Sequence, residues 1–394
     1  MAVNVEAVQQ ALREDGLDAW LLYDFRGLNP IAVRMAGLDR ATGHLATRRW
    51  FYLIPATGQP LALVHAIERH NLAHLPGQPV VYAGREQLEA GLARLTAGLR
   101  RVAMEYSPGN GIPYVSRVDA GTIELVRSTG VEVVSSGDLV QRFDGLWGAE
   151  AIATHRTASE ALYRIKDQAF AMVAERLRTG TAVTEYDVQQ AMMGWFASEG
   201  LRTGSPPNVS AQENAGDPHY VPTATRHRAI HPNELLLIDL WGKTLAPGSI
   251  YADITWVGYT GHTPPDRYAR AFGAVVAARD AALALAQAGA QAGDAVRGFA
   301  LDRAARAVLV GAGYGEALLH RTGHSLGEDV HGNGAHLDDY ETHDARRLMP
   351  GSVFTIEPGV YFSDFGVRTE INVVWEEAGP MPTGPCQTAL VAIV

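Results

Sequence analysis

The sequence predicts two domains that mix helices and strands, a smaller one over residues 1–150 and a larger one over residues 151–394. The chain has 394 residues, which is more than one hydrophobic core usually spans. Strand and helix patterns alternate up to about residue 150, and such alternation favours an α/β layer. Beyond that point two helical patterns come first and apolar strand-like runs follow, so we place the domain boundary there.

The N-terminal domain is predicted to consist of short elements in a regular order. Apolar spacing at helical period predicts helices, and short apolar runs bounded by polar residues predict strands. The segment contains no cluster of potential metal ligands. We expect helices at Val5–Glu14, Glu86–Leu99 and Asp119–Ser128, and strands at Ala19–Tyr23, Trp50–Ile54, Leu61–Ala66, Val80–Ala83, Val102–Glu105 and Val131–Ser135.

The second domain begins with helices. Apolar positions predict a helix over roughly Ala158–Arg178, which Gly180 ends. Thr184 is a typical N-cap for a helix that runs to about Ser198, with Asp187 in the position of a capping acid. Three later apolar runs predict strands, and each carries or adjoins an acidic residue: Leu235–Leu240, Val353–Ile356 and Ile371–Trp375. A carboxylate among apolar residues is costly to bury unless it is paired or binds a metal.

Composition and charge restrict the class of protein. The formal net charge is −10, and an acidic chain is a poor binder of nucleic acid because phosphate binding needs basic surface. Cys386 is the only cysteine, which excludes an internal disulfide and a cysteine-based zinc site. The N-terminal segment lacks the apolar core of a signal peptide, and no run of about 18 apolar residues predicts a membrane span. We therefore expect a cytoplasmic protein that binds neither nucleic acid nor membrane.

Five residues of the second domain are candidate metal ligands. Each of them alone is also explained as a loop, turn or strand-end residue. Together they offer four carboxylates and one imidazole, which suit two divalent cations such as Mn²⁺ or Co²⁺. Two carboxylates can bridge the cations at the separation of about 3.5–4 Å that two-metal hydrolases use. The five residues are Asp239, Asp253, His324, Glu357 and Glu370.

The motifs around these residues resemble those of the pita-bread metallopeptidases, which include aminopeptidase P, Xaa-Pro dipeptidase (prolidase) and methionine aminopeptidase. The motifs are IDLWG, YADIT, HRTGHSLGEDVH, TIEPG and VRTE, in the family's order over about residues 155–394. The resemblance implies an α+β pita-bread catalytic domain over residues 151–394. The first 150 residues are similar to the creatinase-N-like α/β accessory domain of the proline-directed branch, which in this family often forms the dimer interface.

The resemblance implies a role for each candidate ligand. Asp253, His324, Glu357 and Glu370 would hold one cation, and Asp239, Asp253 and Glu370 would hold the other. Asp253 and Glu370 would then bridge the two cations. Glu357 would also act as the general base. Mn²⁺ is the expected metal, with Co²⁺ or Zn²⁺ as alternatives.

Four further residues match catalytic positions of the family. His219 matches the histidine that stabilises the tetrahedral intermediate or the leaving group. His320 and His331 flank His324 and would contact substrate and relay protons, a task that suits a side chain whose charge changes near neutral pH. Arg368 matches a residue that orients the metal site or the substrate carboxylate.

The chain departs from the family pattern at two places. The segment Lys243–Ser249 lengthens the hairpin between the first two aspartates, and its composition predicts an exposed loop. Trp256 stands after the DIT motif where proline-directed members often have arginine, which leaves the contacts of the inner wall open. Three other histidines of this domain match no ligand position and are predicted to be surface or loop residues: His262, His336 and His343.

The resemblance implies hydrolysis of an Xaa-Pro bond by a hydroxide shared between the two cations. The bond before proline is a tertiary amide without an N–H, which general peptidases fit poorly. The compact chain favours an Xaa-Pro dipeptidase acting on a small peptide with proline at the second position. Such an enzyme must bind the free carboxylate of proline, and the alternatives for this contact are Arg368, His320, His331 and the N-domain arginines Arg40, Arg48 and Arg49.

Other activities are compatible with the same motifs. Aminopeptidase P would release the first residue from longer Xaa-Pro peptides. Relatives of creatinase or ectoine hydrolase cleave a small C–N substrate, but creatinase-like members tend to lose metal ligands that this chain keeps. A catalytically inactive pita-bread binding module would lose the ligand set and gain acidic tails. A homodimer is the expected assembly, since twofold symmetry is the commonest case.

Overall fold

The computed structural model describes residues 4–38 and 46–394, so Arg40 lies outside the described residues. The chain divides into two compact units, residues 1–144 and 145–394.

The first unit is built around a six-stranded sheet with strand order β4-β3-β2-β1-β5-β6. Strand β2 is antiparallel to both of its neighbours, and the pairs β1–β5, β5–β6 and β3–β4 are parallel. The strands are β1 (Ala19–Asp24), β2 (Trp50–Pro55), β3 (Leu61–His65), β4 (Gln78–Tyr82), β5 (Arg101–Met104) and β6 (Glu132–Ser135). The helices are α1 (Val5–Glu14), α2 (Pro30–Met35), α3 (Arg85–Leu95), α4 (Ala120–Arg127) and α5 (Gly137–Asp144).

Both faces of this sheet are covered, which explains why β1 is apolar without alternation. Trp20 and Leu22 belong to one buried cluster together with residues of α1 and α2. Leu21 and Tyr23 point to the other face and belong to a cluster with residues of α3 and α4. The sheet therefore carries a core on each side.

The predicted elements of this unit are confirmed with shifts of a few residues at their ends. Two short helices, α2 and α5, were not predicted. Asn29 caps α2 by accepting a hydrogen bond from the Ala32 amide at 3.1 Å, and Pro30 occupies the first helical position. That combination is a helix start signal, but the helix has six residues and is too short to show an apolar period.

The second unit combines long helices with three sheets. The helices are α6 (Ala149–Arg178), α7 (Glu185–Ser198), α8 (Asp266–Ala292) and α9 (Gly298–Gly311). One sheet has the order β16-β10-β9-β7 with β8 also paired to β9, the second has the order β11-β14-β15, and the third pairs β12 with β13. The strands are β7 (Leu201–Arg202), β8 (Asn208–Ala211), β9 (Leu235–Thr244), β10 (Ala252–Tyr259), β11 (Val353–Ile356), β12 (Gly359–Tyr361), β13 (Gly366–Arg368), β14 (Ile371–Glu376), β15 (Gly379–Pro382) and β16 (Val391–Ala392).

Helices cover the sheets of the second unit from two sides. Leu162 and Ile165 of α6 share a buried cluster with Ile238 and Ile254 of the β9–β10 pair. Helices α8 and α9 share another buried cluster with β11, β13 and β14. On the face of β9 and β10 turned away from α6, Leu235, Leu237, Val257 and Tyr259 also join this second cluster, and the polar side chains of that face lie farther along the two strands, toward the connecting hairpin.

The helix predictions for this unit are confirmed, with one difference in length. Helix α6 begins at Ala149 rather than near Ala158, because its first turns are alanine-rich and bury few side chains, so they show little apolar period. Helix α7 starts as predicted: the Thr184 hydroxyl accepts from the Asp187 amide at 3.1 Å, and the Asp187 carboxylate accepts from the Thr184 amide at 2.9 Å.

Helix α8 is long and apolar enough to cross a membrane by length and composition alone. No such span was expected from the sequence. Residues along the helix, including Phe272, Val275 and Ala282, are buried in the core of the second unit. Internal packing therefore accounts for part of the apolar composition of α8, since 39% of its apolar window is buried.

Candidate metal centre

Strands β9 and β10 present two candidate ligands on one face. Thr255 pairs directly with Asp239, and Asp253 pairs with Trp241. Directly paired residues of antiparallel strands share a face, and so do residues two apart on one strand. Asp239, Asp253 and Thr255 therefore lie on the face opposite α6, and the lengthened hairpin between the strands leaves this register intact.

The ladder between β11 and β14 ends beside the other two carboxylates. Its last pair is Ile356 with Ile371, so Glu357 and Glu370 leave the ladder at the same end. The Glu370 amide donates to the Thr255 carbonyl at 3.1 Å, and the Thr255 hydroxyl donates to Glu370 Oε2 at 2.8 Å. These bonds join the second sheet to the first at the site.

The loop with His324 is fixed against β11. The His324 amide donates to Thr355 Oγ1 at 3.0 Å, and the Thr355 amide donates to the His324 carbonyl at 2.8 Å. A Cβ atom at Gly323 would lie 2.2 Å from the Thr355 carbonyl oxygen, so only glycine permits this close approach. Buried Asp302 of α9 accepts hydrogen bonds from the amide and hydroxyl of Thr322, which holds the loop from its other side.

Three of the candidate ligands converge tightly. One ligand atom from each of Asp253, His324 and Glu370 lies within 4.8 Å of the other two, and all three residues are buried. Glu357 joins them, since its Oε1 lies 3.3 Å from His324 Nε2. His324 Nδ1 lies 3.1 Å from the Ser325 carbonyl and donates to it, which leaves the Nε2 lone pair facing the carboxylates.

Burial and mutual repulsion raise the pKa values of these carboxyl groups. Burial, followed by the charges of the neighbouring acids, raises the pKa of Asp253 and of Glu370 well above the ordinary values. Burial raises the pKa of Glu357 to about 7, with the charge of Arg368 opposing the rise. Burial lowers the pKa of His324, so its imidazole is neutral. Clustered acids beside a neutral imidazole are the arrangement that a bound cation would stabilise.

The buried carboxylate oxygens provide an independent test of whether these residues suit a bound cation. Asp253 Oδ1 and Glu370 Oε1 have no hydrogen-bond partner among the residues that the structure describes. An unpaired buried carboxylate oxygen is costly, and coordination to a divalent cation would remove the cost. The donor set of carboxylates and one imidazole nitrogen thus fits a divalent metal.

Arg368 links the acids to a hydrogen-bond network that includes Tyr361, a residue that was not predicted from the sequence. Its guanidinium donates to Asp239 Oδ2 at 2.5 Å and to the Tyr361 hydroxyl at 2.8 Å. The Tyr361 hydroxyl donates onward to His320 Nε2 at 2.7 Å, and His320 Nδ1 donates to the Arg321 carbonyl at 2.6 Å. The position of Tyr361, four residues after Glu357 in the motif EPGVY, was the available signal.

The three histidines predicted to act in catalysis without binding metal, His219, His320 and His331, differ in their surroundings. Both ring nitrogens of His320 bond to protein groups, and burial lowers its pKa to about 3. The His331 ring lies 4.3 Å from the His324 ring between centroids and is exposed, although desolvation and Arg321 lower its pKa to about 4. His219 is exposed, and its charge contributes to the lowered pKa of both other histidines, so it lies near them.

Trp256, which left the contacts of the inner wall open in the sequence, does not line the site in this structure. Because Asp253 and Thr255 face the site, Trp256 points to the other side of β10, where it packs against the cluster around α6. Its ring meets Tyr163 edge-on at 6.0 Å, and Lys166 Nζ lies 3.9 Å from the ring centroid. Trp256 therefore forms a cation–π contact with Lys166 on that side of β10.

The prediction of an exposed segment at Lys243–Ser249 needs correction at its ends. Within Lys243–Ser249 only residues 245–248 are exposed, since Lys243 and Ser249 are buried at the ends of the hairpin. His336 lies in a loop as expected but is buried, and its Nδ1 accepts from the Ser325 amide at 3.1 Å. His262 and His343 are exposed as predicted.

The first unit contains a separate cavity of about 610 Å³. It lies at the ends of β1, β3 and β4, and Arg48 and Arg49 are among its lining residues, together with Tyr23, His65 and Tyr82. These are the two N-domain arginines proposed for the substrate carboxylate that the structure describes. Arg48 is exposed, in agreement with a solvated face.

Comparison with known proteins identifies relatives of this chain. Metallopeptidase family M24 matches residues 158–377. The chain is 32% identical over 209 residues to the Xaa-Pro dipeptidase of Lactobacillus helveticus, covering 52% of this chain and 51% of that protein. It is 28% identical over 272 residues to the probable dipeptidase PepE of Mycobacterium tuberculosis strain H37Rv, covering 69% of this chain and 67% of the relative. The match to the first of these relatives thus spans about half of that protein's length.

Solved structures share the fold over nearly the whole chain. Dipeptidase PepE of Mycobacterium ulcerans superposes with a TM-score of 0.70 at 22% identity, covering 99% of this chain and 96% of that one. The prolidase of Pyrococcus horikoshii OT3 gives 0.61 at 21% identity, covering 98% and 99%. The X-Pro aminopeptidase of Thermotoga maritima MSB8 gives 0.58 at 21% identity, covering 99% of each chain. The predicted pita-bread fold and the resemblance to the proline-directed branch are confirmed.

Proposed function

Because the chain belongs to metallopeptidase family M24, we propose that it is an Xaa-Pro dipeptidase that works with two divalent cations. The observation that carries the proposal is the buried group of Asp253, His324 and Glu370, whose ligand atoms lie within 4.8 Å of one another. Two of these residues bear carboxylate oxygens without a partner among the described residues. A peptidase that uses metal ions requires such a cluster.

The proposed ligand set follows from position and donor chemistry. Asp253, Glu370, Glu357 and His324 would hold one cation, and Asp239 would join Asp253 and Glu370 around the other. Carboxylate oxygens with a single imidazole favour Mn²⁺ as the metal. The bound cations would supply Lewis acidity for the scissile carbonyl and would lower the pKa of water.

Protein side chains, not the cations, would transfer the protons. Glu357 carries a carboxyl group at the edge of the cluster, with Oε1 3.3 Å from His324 Nε2, and is assigned as the group that takes a proton from water and returns it to the proline nitrogen. His219 and His331 are exposed beside the cluster and are assigned to the substrate. His320 is assigned to support through Tyr361 and Arg368, because both of its nitrogens are already bonded.

The names of the relatives support a dipeptide substrate. One relative is an Xaa-Pro dipeptidase and another is a probable dipeptidase. We propose the same class here, a small peptide with proline at the second position. A substrate this short has a free carboxylate, for which His331 or Arg321, a buried cation whose charge acts on His331, would provide the complementary group.

Location and assembly are also proposals. The single cysteine supports a reducing compartment, the cytoplasm. We assign the N-terminal domain, which has its own core and lacks the ligand cluster, to dimer formation. Sedimentation at several protein concentrations measures the assembly state directly.

The activity test is hydrolysis of a peptide panel by Mn²⁺-loaded protein. We expect release of proline from Ala-Pro, little cleavage of Ala-Pro-Ala and none of Ala-Ala. Asp253→Ala serves as the blank, and Asp266→Ala removes an exposed carboxylate of the same unit as the matched control. Equal activity of wild type and Asp253→Ala would refute the mechanism, whereas cleavage of Ala-Pro-Ala above Ala-Pro would identify an aminopeptidase P.

A further inference from the structure

Glu185 is a buried carboxylate away from the candidate ligands. It is the first residue of α7 and has no exposed surface. It forms no ion pair within residues 4–38 and 46–394, so the N-terminus of the helix and hydrogen-bond donors must stabilise the group. Four donors reach it: the Ala211 amide at 2.7 Å, Asn214 Nδ2 at 3.0 Å, the Tyr220 hydroxyl at 2.6 Å and the Arg228 amide at 2.9 Å.

All four donors belong to one stretch of chain, residues 211–228, which we call the His219 segment. From residue 217 on, this segment contains neither a helix nor a strand. Tyr220, which follows His219 directly, is 4% exposed, while His219 itself is exposed. The backbone around His219 is therefore fixed by its buried neighbour, and that neighbour is fixed by Glu185.

The beginning of the segment has a second attachment. Gln212 Nε2 donates to the Asp364 carbonyl at 2.9 Å. A Cβ atom at Gly216 would lie 2.2 Å from the Phe362 carbonyl oxygen, so the backbones of the segment and of the β12–β13 hairpin are in close contact. These contacts hold residues 212–216, but they do not reach His219. Beyond residue 216, Tyr220 and Arg228 bond to Glu185 and close the loop from the other side.

His219 needs such a support because it is exposed and, in the proposed function, contacts the substrate. Among the described residues, His219 makes one hydrogen bond, and it is local: its amide donates to Asp217 Oδ1 at 3.0 Å. A small displacement of a catalytic group costs rate without unfolding the protein.

We propose that Glu185 is a positioning residue for His219: its carboxylate ties Tyr220 and Arg228 to the start of α7 and so places the His219 imidazole at the substrate. The inference rests on the proposed function, in which His219 contacts the substrate. It adds a residue that lies outside the motifs used to identify the site.

The test is a double-mutant cycle of Glu185→Gln and His219→Ala with Mn²⁺-loaded protein and Ala-Pro. Glutamine keeps the size of the side chain but places an NH₂ group opposite donors. We expect His219→Ala to lower kcat about 100-fold and Glu185→Gln about 10-fold, with little change in Mn²⁺ affinity. In the His219→Ala background, Glu185→Gln should change kcat less than about twofold, because the two substitutions disable the same group.

Gln189→Met is the matched control. Gln189 is a buried polar residue one turn along the same helix, and it donates to the Pro207 carbonyl at 3.0 Å rather than to the His219 segment. It should lose stability without losing kcat. Equal losses of kcat in the control and in Glu185→Gln would overturn the proposal, as would a fully additive cycle.

Hydrogen exchange measured by mass spectrometry separates this inference from the proposed function. Glu185→Gln should speed exchange at residues 217–228 and leave α8 and α9 unchanged, whether or not the protein cleaves Ala-Pro. Unchanged exchange in that segment would overturn the positioning role. Normal kcat in His219→Ala, together with faster exchange in Glu185→Gln, would instead reject the role of His219 in the proposed function.

Discussion

Arg368 donates a 2.5 Å hydrogen bond to Asp239 from a guanidinium that is 3% exposed. The Arg368 Nε atom also lies 3.9 Å from Glu357 Oε2. Arg368 is thus a buried positive charge inside a group of acids, and in the absence of bound metal it offsets part of their repulsion. Removing one partner of a buried ion pair leaves the remaining charge without compensation.

Arg368→Gln is expected to lower the free energy of unfolding of the metal-free protein by about 3–5 kcal/mol. Saturating Mn²⁺ should restore more stability in this variant than in wild type, because the cations then balance acids that arginine no longer balances. Thermal unfolding with and without Mn²⁺ measures both effects. Arg267→Gln, which removes an ion pair with Asp364 between half-exposed side chains, is the control and should cost less than about 1 kcal/mol. Equal losses in the two variants would contradict the assignment.

Tyr361→Phe is expected to lower kcat/KM for Ala-Pro about tenfold, since it removes one hydroxyl that joins Arg368 to His320. The Mn²⁺ content should stay the same, because Tyr361 is not one of the proposed ligands and bonds instead to Arg368 and His320. Metal analysis and steady-state kinetics measure the two quantities. Tyr340→Phe removes the hydroxyl of a partly exposed tyrosine that donates to the Leu318 carbonyl at 3.0 Å, and it should leave kcat/KM unchanged. A Tyr361→Phe enzyme with wild-type kinetics would show that the link carries no function.

The sequence indicates the candidate ligands because each lies where a strand or tight loop fixes its direction. The alternation of β10 places Asp253 and Thr255 on one face, and the Glu357-Pro358-Gly359 turn ends β11 at a defined point. The paired residues Ile356 and Ile371 then bring Glu357 and Glu370 together. Local pattern is sufficient for these residues because a strand has only two faces.

The supporting residues could not be predicted in this way. Glu185 acts on residues 26 to 43 positions later, and Tyr361 meets His320 across 41 positions. Such contacts depend on how loops return to the site. The spacing of apolar residues within one helix or strand does not encode this. The face of Trp256 could have been inferred from the alternation of β10, since it is one position from Thr255.

Asp253→Asn is expected to separate metal binding from folding. The metal-free variant should be no less stable than wild type at pH 7, because burial and neighbouring acids already raise the pKa of Asp253 and oppose its charge. At Mn²⁺ concentrations near 100 times the dissociation constant, wild type should gain about 2.7 kcal/mol of unfolding free energy, and the variant should gain little. Thermal unfolding across a Mn²⁺ titration tests this. A large loss of stability in the metal-free variant would mean that Asp253 has a structural role instead.

Glu105 should make the first unit less stable as the pH rises. It is fully buried and accepts hydrogen bonds from Trp20, Asn29 and Ser136, yet burial raises its pKa from 4.5 to about 7. The folded chain therefore binds more protons than the unfolded chain between these values, so the unfolding free energy falls through this window by about 3 kcal/mol and stays low above it. Urea unfolding at pH 5, 6, 7 and 8 should show wild type losing stability relative to Glu105→Gln, whose side chain does not titrate. Subtracting the variant cancels the other titrating groups, and a difference that is independent of pH would show that Glu105 keeps its ordinary pKa in the fold.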